Sequence, residues 1–320
     1  TDRKGQASTF QYDTLNRRVR AAHADGAIAT FQFDTGGRLL QAVDTADPHG
    51  PIAVSYDALD RVVSEVTALG TVSYGYDARS RRTAMTVSGR PPVSYTYDGA
   101  SRLGTIRQDP LNPVDILYDA LGRRTLLSLP NGVTTEYQYD SASRLTALIY
   151  RNATGVLGDL TYQFDASGNR IATGGSFART VLPDSVASAT YDLANRQLTF
   201  GSRTLEYDAN GNLTILTDGG NTTAYTWDAR DRLTAIAGSG VTASFAYDAV
   251  SRRAQKTIGG QTTTFQYDGL DIVREGLAGG STITLRGLGL DEPLIRTEAG
   301  LSSAYLRDAL GSVLALTAGD

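Results

Sequence analysis

Four sets of residues in this chain carry chemistry worth weighing. The first is an aromatic residue followed by Asp, with Arg five positions past the aromatic, as in Tyr118-Asp119 with Arg123, Tyr139-Asp140 with Arg144 and Tyr247-Asp248 with Arg252. A guanidinium can reach a carboxylate or lie across an aromatic face, and a row of solvent-facing rings could hold sugars by stacking. The second is Asp208, Asn210 and Asn212, which imitates the start of a calcium loop. No Gly follows Asn212 and the twelfth position is Gly219 in place of Glu, so the match fails where the ion needs its turn and its bidentate ligand. The third is His23 and His49, too few for a histidine-built zinc site and poorly placed for a triad, each in a polar turn where a solvated imidazole is expected. The fourth, Gly287-Leu288-Gly289, lacks the third Gly of a dinucleotide fingerprint and runs into Asp291-Glu292, which would repel a phosphate. A reactive centre is singular, whereas the aromatic-Asp dyad occurs thirteen times, which assigns it to a scaffold.

The elements that must position these dyads follow from their surroundings. Dyads stand at Tyr12, Phe33, Tyr56, Tyr76, Tyr97, Tyr118, Tyr139, Phe164, Tyr191, Tyr207, Trp227, Tyr247 and Tyr267, so most steps are 20 to 23 residues. That period marks a serial architecture. Ahead of each dyad the residues alternate, as in Val133, Thr135, Tyr137 and Tyr139, which puts one set on one face of a strand. Four residues past each aromatic stands only Gly, Ser, Asn or Asp, including Gly122, Ser143 and Ser251, and these types suit a left-handed turn position. Arg144-Leu145-Thr146-Ala147-Leu148-Ile149 then reads as a returning strand. The expected fold is all-β: serial antiparallel hairpins in one large sheet. About 26 strands at ~4.8 Å spacing give a strip of roughly 125 Å, wide enough to curl; closed on itself it would make a ring only ~40 Å across.

The pattern Tyr-Asp-x-x-Gly/Ser/Asn-Arg-Leu is similar to the YD repeat of the Rhs family. Tyr118-Asp119-Ala120-Leu121-Gly122-Arg123-Arg124 and Tyr207-Asp208-Ala209-Asn210-Gly211-Asn212-Leu213 carry the resemblance, and it extends over almost the whole chain. Asp291-Glu292-Pro293-Leu294-Ile295, with Tyr305, Asp308, Gly311 and Ser312 in the run Tyr305 to Thr317, resembles the start of the Rhs-associated core. The resemblance implies a sheet that spirals into a hollow cocoon around a C-terminal toxin domain of a bacterial polymorphic toxin. It implies, as partners, that domain and secretion-system or shell proteins, and a secreted or cell-surface location. In several relatives aspartates later in the core cut the chain. The D-P-x-G segments of that region are not reached by Asp320, and Asp47-Pro48-His49-Gly50 lies far from the core and reads as a turn, so no enzymatic activity is expected here. The rival reading is a surface module that binds carbohydrate.

Length and composition agree with a repeat protein. The 320 residues form one continuous succession, with repeats over 1–268 and the start of the core over 269–320, where Gly276, Gly279, Gly280, Gly287 and Gly289 suggest that the regular sheet gives way to a cap. Phe10-Gln11-Tyr12-Asp13 is already in mid-repeat, so the chain reads as a segment of a longer protein. The 28 Arg against Lys4 and Lys256 fit a need for planar guanidinium geometry. A net charge of -4 gives no reason to expect nucleic acid, and no apolar run approaches a membrane span. No Cys is present, which excludes disulfides and thiolate metal sites, and no cofactor is implied. Pro-bearing loops at Asp44 to Pro51 and Asp109 to Pro113 fall between hairpins, where a missing N–H costs no ladder bond. Extra residues at Asn152 to Gly155 and Thr173 to Ser176 mark a place where the sheet is expected to bulge or bend.

Overall fold

The computed structural model describes residues 1–179, 185–289 and 291–318, and among these it is all-β, with thirty strands and no helix. Within each of two sheets every strand pairs with its sequence neighbours. The first sheet has sixteen strands, from Thr9–Tyr12 to Arg170–Gly174, and the second has fourteen, from Ala189–Tyr191 to Val313–Ala318. Up-and-down order throughout is what short connections between hairpins allow.

Each dyad sits at the first of two alternating turns. In the hairpin of Val114–Tyr118 and Arg124–Ser128, Ile116 faces Leu127 and Leu117 faces Leu126, and the register then slips by one so that Tyr118 faces Arg124. The slip is a bulge closed by a left-handed residue, Gly122 with φ 80°, and the same slip recurs ahead of Tyr139, Tyr207, Trp227 and Tyr247. The second kind of turn joins one hairpin to the next. Between Leu213–Asp218 and Asn221–Trp227 it is Gly219-Gly220, both at positive φ (55° and 85°), the mirror-image turn whose twist matches the strands.

The strand succession differs from expectation in two respects. There are two sheets in place of one, and the division falls after Arg170–Gly174, where Asn169 replaces the repeat arginine and a long connection follows. The change expected after Tyr267 does not end the sheet: Asp271–Leu277, Gly280–Arg286, Pro293–Glu298, Leu301–Arg307 and Val313–Ala318 are its last five strands. The extra residues at Asn152 to Gly155 lengthen the flanking strands, Leu145–Asn152 and Gly155–Phe164, and the ladder slips between Tyr150 and Arg151.

Two compact units divide the chain. One comprises Thr1–Thr71, Leu182–Gln266 and Gly276–Gly279; the other comprises Val72–Val181, Tyr267–Glu275 and Gly280–Asp320. The second unit holds the larger core, in which Val93, Tyr95, Ile106, Val114, Ile116, Leu127, Leu148 and Tyr150 of the first sheet pack with Leu285, Leu294, Ile295 and Leu306 of the second. Alternation along a strand produces this: in Val93–Tyr97, Val93 and Tyr95 are buried while Ser94 and Thr96 are exposed. Each such aliphatic side chain contributes about 1.5–3 kcal/mol. The first unit has a smaller cluster, Ala42, Ile52 and Ala249.

Candidate functional site

The repeated cassette is built from its aspartate outward. The Asp119 carboxylate accepts the N–H of Leu121 at 3.0 Å and of Arg123 at 2.9 Å through Oδ1, while Oδ2 takes Arg123 Nε at 2.6 Å. The backbone closes around it: Gly122 N–H donates to the Asp119 carbonyl, and Asp119 N–H to that of Arg123. The Arg123 backbone N–H and then its guanidinium hold the Asp119 carboxyl below the usual carboxylate range. Asp140 with Arg144 and Asp248 with Arg252 repeat the arrangement, with Ser143 (φ 64°) and Ser251 (φ 69°) at the left-handed position.

What the sequence leaves open is where the aromatic belongs. Arg123 does not cover Tyr118 of its own unit; it lies over Tyr139 of the next, 4.6 Å from the ring centroid. Tyr139 in turn donates its hydroxyl to the Arg124 carbonyl at 2.9 Å. One repeat back, Arg102 lies over Tyr118 at 4.6 Å and Tyr118 donates to the Leu103 carbonyl. The pairs Arg17 and Phe33, Arg38 and Tyr56, Arg81 and Tyr97, Arg144 and Phe164, Arg196 and Tyr207, and Arg232 and Tyr247 follow the same rule. Each of these arginine-bearing cassettes is therefore a staple between consecutive repeats. It leaves few faces for a sugar, since the covered rings are at least half-buried and only Tyr12 and Tyr191 among the dyad aromatics expose more than half of their surface, 55% each.

The core-motif residues form the same turn. Asp308 accepts the N–H of Leu310 at 2.9 Å and of Ser312 at 2.8 Å, and Gly311 has φ 89°. Ser312 stands where a repeat has Arg. Tyr305, Asp308 and Gly311, with Tyr139, line a cavity of about 320 Å³ in the second unit whose polar wall is Arg124 and Arg307. Both guanidiniums bind Glu292, Arg124 at 2.9 Å and Arg307 at 3.3 Å. Burial pushes the Glu292 carboxyl up, but the two arginines outweigh it and hold it below the ordinary glutamate range. Gly287 and Gly289 wrap this carboxylate: Gly289 N–H donates to it at 3.2 Å, and a Cβ on Gly287 would fall 2.0 Å from its oxygen. That close approach is the reason for a Gly-Leu-Gly that resembles a nucleotide loop.

Sequence reasoning did not single out these interior acids and bases. In the second unit Arg82 also grips Asp268 with two bonds, 2.5 and 3.0 Å. In the first, Arg252 extends from Asp248 to Glu65 at 2.7 Å, and Arg230 pairs with the fully buried Asp44. A usable signal was the doubled arginine: Arg81-Arg82 and Arg123-Arg124 each place one guanidinium in the cassette and the next on an interior acid.

The remaining candidates are absorbed into structure. Lys4 places its ammonium 3.2 Å from Asp208 and 3.4 Å from Asp231, while Asn210 and Asn212 both donate to Asp231, so the calcium-like run is held by a lysine. The histidines are not the solvated turns expected. His23 is half-buried against Ser8, and His49 buries Nε2, because the turns that carry them pack on turns of the second sheet within the same unit, where Asp25 accepts the Ala229 N–H.

The RHS Repeat family model matches residues 56–91, 118–154 and 207–242, each spanning two aromatic-Asp dyads and their strands. These three stretches are Rhs repeats. Solved structures share the all-β fold. A crystal structure titled TcdB2-TccC3-TEV has a TM-score of 0.60 at 16% identity, over 98% of this chain and 23% of that one. One of TcdB2-TccC3 without its hypervariable C-terminal region gives the same score, identity and coverage. The Tc holotoxin pore of Photorhabdus luminescens, with a mutated TccC3, gives 0.52 at 15% identity, over 96% of this chain and 22% of that one. The chain thus spans less than a quarter of the length of these three. No curated protein matches its sequence. Among the described residues no helix is long and apolar enough to cross a membrane.

Proposed function

We propose that this Rhs-repeat chain is a structural wall segment that encloses a C-terminal toxin domain of a secreted bacterial toxin, and that it catalyses no reaction itself. The observation that carries the reading is the use of the cassettes: the functional-looking Asp, Arg and aromatic groups are spent on bonds from one repeat to the next. Likeness in fold to Tc toxin complexes supports the toxin context. An enclosed domain would be withheld from the producing cell until delivery by a secretion system. The continuity of the ladder within each sheet supports that task, because strands hydrogen-bonded on both sides resist partial opening.

The experiment is limited proteolysis of the natural polypeptide that contains this segment. The expected result is a C-terminal domain that resists protease while the wall is folded and is digested when Arg124→Ala and Glu292→Ala loosen it. Digestion at the same rate in both forms would contradict enclosure. A carbohydrate-binding role is disfavoured by the covered rings.

A further inference from the structure

The staple rule leaves two tyrosines unserved. Tyr12 and Tyr191 lead the first and second sheets, and among the described residues neither ring lies under a guanidinium. The Tyr191 hydroxyl has one contact, the Gln197 amide at 3.4 Å, where its counterparts Tyr118, Tyr139, Tyr207 and Tyr247 donate to a carbonyl of the preceding repeat. The strand that carries it, Ala189–Tyr191, is exposed at all three residues, and among the described residues no strand pairs with its outer edge. An exposed edge of unpaired N–H and C=O groups is a template for strand addition.

We propose that this edge is a docking surface for another polypeptide, and that its occupant is the return strand of an arginine-bearing hairpin of the same repeat type. Three groups must arrive together: a backbone ladder for Ala189–Tyr191, a guanidinium over the Tyr191 ring, and a carbonyl to accept its hydroxyl. Among the described residues at least eight interfaces are made with a guanidinium over the following ring. The Tyr191 edge continues one of these sheets and presents the receiving half of such an interface.

A second copy of this chain does not meet the requirement. Its trailing edges are Arg170–Gly174 and Val313–Ala318, and the hairpins that end there have Asn169 and Ser312 at the arginine position. The Asn169 amide is turned inward onto Asp165 at 2.9 Å, and the Ser312 N–H is bound to Asp308. Neither offers a cation to the next ring. Neither strand would cover the Tyr191 ring, which disfavours a second copy as occupant and leaves a heterologous repeat partner acceptable. The proposal does not depend on what the wall encloses.

The probe is a fluorescein-labelled hairpin peptide of residues 114–128, which carries Arg123, titrated by anisotropy against the full chain bearing Tyr12→Ala so that Tyr191 alone is in play. The peptide is expected to bind, to weaken roughly five-fold with Arg123→Gln, the loss of about 1 kcal/mol of cation–π attraction, and to lose that discrimination when Tyr191→Ala is added. No binding at millimolar peptide, equal binding of the two peptides, or the same preference without Tyr191 would each overturn the proposal. So would dimerisation of the unmodified chain at those concentrations that Tyr191→Ala abolishes.

Discussion

At the scale of single residues, geometry decides what each charge is worth. Arg123 is partly exposed, so its ion pair with Asp119 is screened; its larger service is to Tyr139 and the adjoining turn, where it reaches Ser143 Oγ at 3.2 Å. Arg123→Lys keeps the charge but cannot bind Asp119 through Nε and lie flat on the ring, so urea denaturation is expected to show a loss of about 1 kcal/mol. Full retention of stability in that variant would show that charge alone suffices. Glu292 is different because it is buried between two arginines. Glu292→Ala strands both cations in the interior and is expected to cost about 3–5 kcal/mol, several times the Arg123 effect, in the same assay.

At the scale of the element, the hairpin turn was legible in the sequence almost completely. The position four past the aromatic is left-handed in twelve of the thirteen units. Asp271 departs because that turn is the two-residue Gly269-Leu270, with the positive φ moved to Gly269 and Asp271 drawn into a strand. Ser143→Gly at φ 64° relieves the strain of a side chain in that region and is expected to raise the melting temperature slightly, while Ser143→Val lowers it by several degrees. Equal melting temperatures for the two would remove the left-handed residue from the account. The reach of the cassette arginine to the next repeat was not legible, because period and spacing identify partners within a turn and say nothing of which strand lies alongside. Nor was the division into two sheets. Asn169 hinted at it, but Asn212 has the same substitution and its sheet continues through Asn221–Trp227, so the missing arginine acts only together with the long connection that follows. Glu292, Asp268 and Asp44 were hidden for a related reason: each is paired with a residue more than 160 positions away.

For the whole molecule, the summed cassettes set the response to acid. The carboxyls of Asp34, Asp98, Asp119, Asp140 and Asp192 are all held below their ordinary value by the N–H of the cassette arginine and then by its side chain. A carboxyl depressed in the folded state stabilises it above the unfolded value, near 3.9, and that contribution is lost as pH falls through the folded values. Asp47 and Asp271, raised by burial, act with the opposite sign and are outnumbered. The melting temperature followed by circular dichroism is expected to be level from about pH 7 to 5 and to fall steeply below about pH 4. A level profile down to about pH 2 would mean that the turn carboxylates do not stabilise the fold.

Linkage from one repeat to its successor is the central claim, and a double-mutant cycle reads it directly. Arg102→Gln and Tyr118→Leu, made singly and together, should show a coupling of about 0.5–1 kcal/mol in chemical denaturation, whereas Arg102→Gln with Tyr97→Leu should show almost none. Coupling of Arg102 to Tyr97 and not to Tyr118 would mean that each hairpin is closed on itself, contradicting a wall stapled repeat by repeat.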